Sequence, residues 1–176
     1  MAASWLCFLY SKYQEMNKVT GTAILAIAAE DVEQRRSQSS YPEPFFSRMS
    51  KRQKHPLGDH FGLKNFGVNL TKLLPGGESS ILHRHSKQDE FVFILKGHPT
   101  LVTDAGEIEL SPGMCAGFAA ASVAHQLVNR TEEIITYLEI GDRTVGDEGT
   151  YPRDDLKAEL GPEGRWVYTH KDGRPY

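Results

Sequence analysis

The chain has 176 residues and a formal net charge of −3, with 39% hydrophobic and 24% charged residues. That is enough for one domain with a real core and excludes wholesale disorder. There is no basic surplus of the kind that accompanies nucleic-acid binding.

In chain order, "SWLCFLY" is apolar for only seven residues, has no basic residue before it, and is followed by charges, which makes a poor signal peptide. "AILAIAA" at 23–29 is far too short to span a bilayer, so no membrane segment is expected. Met16-Asn17-Lys18 reads as a natural start, which makes residues 1–15 an upstream extension. Residues 16–62 then read as an N-terminal arm. From Ala29 to Gly62 the chain is polar, charged and proline-bearing, expected to wrap a domain through Tyr41, Phe45 and Phe46, with disorder around "QRRSQSS". Within it, "SRMSKRQKH" at 47–55 gathers five basic residues counting His55; lacking interleaved aromatics, it reads as a solvated surface segment.

Strand signals follow over 63–141. "FGVNLTKLL" alternates, with Phe66, Val68 and Leu70 on one face and Asn69 and Thr71 on the other. "EFVFILKG" reads as a strand buried on both faces. "TLVTDAGEIEL" is a hairpin turned at Asp104-Ala105-Gly106. "SPGMCAGF", "AHQLVN" and "EEIITYLEI" supply further strands. Many short strands with turn chemistry between them argue for an antiparallel sandwich or barrel. Residues 142–176 form a polar C-terminal arm whose "DDLKAEL" and "RWVY" suggest packing back on the barrel. The two cysteines, Cys7 and Cys115, make neither a disulfide framework nor a metal motif. Cys115 reads as a buried inert thiol, and the thiol content fits a cytoplasmic location.

His83 and His85 share one face of a strand, because alternate residues do. Glu90 begins the next strand, and His125 opens a later one. If these strands form one barrel, three imidazoles and a carboxylate become available to a single point. Such a donor set suits Fe²⁺, Mn²⁺, Ni²⁺, Co²⁺ or Zn²⁺ and disfavours Ca²⁺ and Mg²⁺. On an octahedral metal it leaves two open positions; on tetrahedral Zn²⁺ it closes the site. Gly77, His83, His85, Glu90 and Gly97 match the first motif of the cupin superfamily at every fixed position. The second motif departs from the family: Ala119 replaces its usual proline, Ala121 its usual glycine, and one extra residue precedes His125, while Asn129 follows as expected.

The resemblance implies an all-β double-stranded β-helix, a jelly-roll barrel with extended N- and C-terminal arms. It implies a metal shell of His83, His85, Glu90 and His125 holding one divalent transition metal, either iron, manganese, nickel, cobalt or zinc. "YPEPF", "FGVNL" and "THKDGRPY" look similar to a group of small bacterial cupins, some of which carry a sugar-phosphate-isomerase label. Arg84 and Asp89 should point away from the shell, Lys96 should be a surface lysine, and His55, His60, His98 and His170 sit in loop-like stretches. Tyr137 is the weak catalytic candidate, able either to hydrogen-bond a ligand or to fill the core. Two functions follow. One is a metal-dependent enzyme acting on a small polar, sugar- or hydroxy-acid-like molecule by isomerisation, lyase or iron-dependent dioxygenase chemistry; the other is a non-catalytic module that binds a metal or small ligand. The expected partners are a small-molecule ligand and a second copy in a homodimer, without nucleic acid or membrane.

Overall fold

The computed structural model describes residues 25–176; the expectations for residues 1–15, Cys7 included, lie outside them. Twelve strands are seen, all paired antiparallel: β1 Arg52–His55, β2 Phe66–Leu73, β3 Arg84–His85, β4 Glu90–Lys96, β5 Thr100–Thr103, β6 Gly106–Glu109, β7 Cys115–Phe118, β8 His125–Val128, β9 Ile135–Asp142, β10 Glu148–Thr150, β11 Lys157–Leu160 and β12 Trp166–Thr169. One sheet runs β1-β2-β9-β4-β7. Facing it are β12-β11-β10-β3 and β6-β5-β8, joined by the bridges Glu78↔Val128 and His83↔His125. This is the expected jelly roll, and both arms contribute strands to it.

The core between the layers closes one end of the barrel with Leu73, Val92, Ile94, Leu101, Leu110, Phe118, Leu127, Ile135 and Tyr137. A second cluster, Phe45, Met49, Ile81, Tyr151, Leu156 and Ala158, ties the arms to the outer sheet, with Tyr41 and Tyr168 packed on it. Gly97, the last fixed glycine of the first motif, has φ +81°, and a Cβ there would stand 2.9 Å from Ile135 Cγ1. Asn129 is fully buried and closes a turn by donating to Leu73 O at 2.9 Å and Glu133 O at 2.7 Å.

Five sequence expectations are corrected here. "SRMSKRQKH" is not a solvated segment: Met49 is fully buried, and β1 pairs along β2 with Arg52 and Lys54 facing the barrel interior. His55 therefore lies in a strand, its Nδ1 at 2.6 Å from Val32 O. "EFVFILKG" is buried on one face only: Val92 and Ile94 point inward, whereas Phe91 and Leu95 are 38% and 44% exposed. The run is apolar on both sides, but nothing among the described residues covers the outer one. Cys115 is exposed, because it sits opposite Phe93 on that outward face of the edge strand β7. In "QRRSQSS", Ser37 to Ser40 lie along the cavity rim and Gln38 O accepts from Arg52 Nη2.

Candidate metal centre

His83 ends the loop before β3, His85 lies in β3, and Glu90 and His125 open β4 and β8. Strand ends converge at one mouth of the barrel, so these four side chains meet. Glu90 Oε2 is the hub, with His125 Nε2 at 2.8 Å and His83 Nε2 and His85 Nε2 each at 3.5 Å. The Nε2 atoms of His83 and His85 are 3.0 Å apart. Donor atoms of His83, Glu90 and His125 all lie within 4.8 Å of one another.

The opposite edge of each ring fixes its tautomer. His83 Nδ1 lies 2.9 Å from Ile81 O, which only accepts, so Nδ1 carries the hydrogen. His85 Nδ1 donates to Asp147 Oδ2, and His125 Nδ1 faces Val123 O at 3.4 Å. Three Nε2 lone pairs therefore turn inward on a carboxylate, acceptor against acceptor. A cation between them makes that arrangement attractive, so the donor set fits a divalent metal. Burial pushes the His83 pKa down and so favours the neutral ring that a metal would need, partly offset by the neighbouring Glu90 carboxylate. Burial alone would raise the Glu90 carboxyl, yet its close contacts with the His125 and His83 rings hold it well below the usual carboxylate value.

Two supporting residues carry no motif and were not foreseen. Asp147 is fully buried; it accepts from His85 Nδ1, Ser86 Oγ at 3.1 Å and Lys87 N at 2.7 Å. Phe118, opposite Glu90 on β7, stacks on His125 with centroids 3.5 Å apart and 2° between planes. In the second motif, Ala121 takes φ +57° where the family uses glycine, donating its N–H to His85 O at 2.8 Å. The altered turn still delivers His125 to Glu90.

Arg84 points away to Asp104 Oδ2 at 2.8 Å, and Asp89 accepts from Ala120 N at 2.8 Å; neither touches the cluster. Lys96, His60 and His98 are exposed, and His170 pairs with Asp155 at 2.8 Å. Tyr137 is fully buried in the core, its hydroxyl 3.5 Å from Glu139 Oε2. Burial, and then the Glu139 charge, push its phenol well above the ordinary value, so it stays protonated as a donor.

The cluster opens into a cavity of about 550 Å³. Polar groups from elsewhere in the chain line it: Arg52 and Lys54 of β1, Ser79, Ser80 and Gln88 of the connecting loops, and Glu139 of β9. Glu139 pairs with Lys54 Nζ, accepts from Asn69 Nδ2 at 3.0 Å and lies 3.4 Å from Thr71 Oγ1. The polar face of "FGVNLTKLL" thus looks inward, onto Glu139. Tyr137 and Glu139 share a strand face by parity, and that signal could have found the carboxylate from sequence.

No helix among the described residues is long and apolar enough to cross a membrane. The cupin domain family matches residues 69–141. A search of curated proteins returns no match. Among solved structures, a cupin-superfamily sugar phosphate isomerase from Silicibacter pomeroyi is 39% identical with a TM-score of 0.80, covering 86% of this chain and 96% of its own. A protein assigned provisionally as a sugar phosphate isomerase, from Acidithiobacillus ferrooxidans, is 30% identical with a TM-score of 0.65, covering 71% and 80%. A polyketide cyclase from Streptomyces resistomycificus, 18% identical with a TM-score of 0.55 over 66% and 78%, shares the fold alone. With the motif histidines His83, His85 and His125 in place, the jelly roll around them and a 39% identical cupin-superfamily relative matched over 96% of its length, the chain belongs to the cupin superfamily.

Proposed function

We propose that this cupin is an enzyme that holds one divalent transition metal on His83, His85, Glu90 and His125 and acts on a small polar, hydroxylated molecule. The observation that carries this is the inward set of imidazole lone pairs and carboxylate at the mouth of a polar cavity. When bound, such a metal supplies Lewis-acid polarisation of a carbonyl or hydroxyl oxygen, or dioxygen chemistry if it is iron. Asp147 and Phe118 hold the imidazoles in orientation. Ser79, Ser80 and Gln88 offer hydrogen bonds to ligand hydroxyls, and Tyr41, Tyr151 and Trp166 wall off water.

Glu139 is the group we assign to proton transfer. Val92 pairs with Glu139 and Glu90 with Gly141, so Glu139 is the diagonal neighbour of Glu90, roughly 7–8 Å away across the sheet. A ligand held at the cluster would present a carbon or hydroxyl proton to it, and Lys54 would stabilise the carboxylate between transfers. Tyr137, a protonated donor, positions Glu139 instead of acting as base. The likeness to two proteins named as sugar phosphate isomerases supports isomerisation over dioxygenation. A binding module without turnover needs no such carboxylate, so Glu139 favours the enzyme. The half-exposed outer face with Phe66, Phe91 and Leu95 supports the homodimer, which sedimentation at micromolar concentration would test; a monomer there rules it out.

Elemental analysis of protein purified without chelators or metal-affinity resin tests the centre, repeated on His125→Ala. Near-stoichiometric iron, manganese or nickel that is lost in the variant is the expected result. Zinc would favour a closed structural site, and no metal would overturn the proposal. Incorporation of solvent deuterium into hydroxylated substrates, abolished in Glu139→Gln, tests the proton-transfer step.

A further inference from the structure

The cavity wall opposite the cluster carries a charge that the metal centre does not use. Arg52 is 7% exposed, and two of its donors are taken by neutral carbonyls: Nη1 by Ser79 O and Nη2 by Gln38 O at 2.6 Å. Its Nε has no partner, and no carboxylate forms an ion pair with it among the described residues. A buried guanidinium without a counter-ion is costly, and natural interiors pair such groups. Lys54, two residues on and on the same strand face, is paired with Glu139. The charge of Arg52 is felt around the cavity: it disfavours protonated Lys54 and favours ionised Tyr41 and Tyr168, although burial is the largest influence on all three. Hydroxyls of Ser39, Ser40, Tyr41, Ser79 and Ser80 line the same side.

Of the three cations that line the cavity, Arg35 pairs with Asp59 outside it, which leaves Arg52 and Lys54 with two carboxylates, Glu90 and Glu139. A divalent ion at the cluster would leave that cavity with a surplus of positive charge. We infer that Arg52, supported by Lys54, forms an anion subsite that takes the phosphate or carboxylate of a small hydroxylated ligand whose other end reaches the His/Glu cluster. β1 and β4 are three strand spacings apart in the sheet order, on the order of 14 Å along the sheet and less across its curved interior. The two ends of the ligand are therefore separated by several bonds, which places its hydroxyls beside Glu139. This deepens the proposed function and rests on it only for the metal-bound end.

The test is titration of the full chain with inorganic phosphate and with malonate at constant ionic strength, read by Trp166-sensitive fluorescence and by melting temperature. Chloride serves as the blank, and the series is run with and without added manganese. The expected result is saturable binding of at least one anion, weakened about tenfold or more in Arg52→Gln, several-fold in Lys54→Gln and not at all in the exposed Arg130→Gln. Preference for phosphate or for malonate distinguishes the two head groups. No response beyond chloride, or equal binding in both cavity variants, would overturn the subsite. If Arg52→Gln fails to fold because Ser79 and Gln38 lose their donor, Lys54→Gln decides, and unchanged affinity there overturns it. Metal content measured on the same samples separates the two ideas. Anion binding that persists in His83→Ala retains the subsite while the metal centre fails; normal metal without anion binding does the reverse.

Discussion

Asp147→Asn changes one atom and should uncouple the fold from the site. Oδ1 of Asp147 accepts from Ser86 Oγ, Lys87 N and Gln88 N, while Oδ2 accepts from His85 Nδ1. An asparagine keeps its carbonyl on the loop donors and so turns its amide nitrogen toward His85. Two donors then meet unless the imidazole moves its proton to Nε2, and a protonated Nε2 has no lone pair for a metal. Loss of such an outer partner weakens metal binding about 10–100-fold, or about 1.4–2.8 kcal/mol at 1.4 kcal/mol per tenfold. Folding loses less, about 1 kcal/mol, because a hydrogen bond to a charge becomes a neutral one. Chelator competition gives the metal affinity, and thermal melts of the metal-free protein give the stability. In a double-mutant cycle with His85→Ala the affinity losses should be strongly non-additive. A folded Asp147→Asn protein that binds metal within twofold of the wild type would refute the tautomer reasoning.

Ala121→Gly should stabilise the fold by about 0.5–1 kcal/mol, read as a higher denaturation midpoint. An alanine at φ +57° costs about 1–2 kcal/mol, more than the extra flexibility glycine gives the unfolded chain; a lower midpoint contradicts it. Gly97→Ala should cost about 2–4 kcal/mol, combining positive φ with a clash on fully buried Ile135, and urea unfolding at neutral pH measures it. Stability should also fall above about pH 10. Burial raises the phenols of Tyr41, Tyr137, Tyr151 and Tyr168. Unfolded tyrosines ionise near 10 while these keep their protons, so the folded state binds more protons and each such group costs up to about 1.4 kcal/mol per pH unit. Urea unfolding at about pH 9 and pH 11, with phenolate absorbance followed in parallel, checks the sign; phenolate from more than three of the seven tyrosines appearing near pH 10 before unfolding would contradict it.

The sequence by itself determined the strands between 66 and 142 and the four candidate donors, because both are local. Period-two alternation puts His83 and His85 on one face, the glycines at 77 and 97 bracket the turns, and the hairpin at Asp104-Ala105-Gly106 needs only its own residues. What the chain does around those donors is non-local. Asp147 reaches His85 from 62 residues away, and Arg52 and Lys54 enter the cavity because β1 pairs with β2. A basic run on an edge strand and a basic run on a solvated loop look alike in sequence, since alternation does not say which face is inside. The outer face of β4 shows the same ambiguity: an apolar stretch records no partner, and only the sheet's position decided that Phe91 and Leu95 stay half exposed. Local spacing therefore set the identity of the candidate ligand atoms. Strand pairing decided which charges share their cavity, because burial depends on which strands become neighbours.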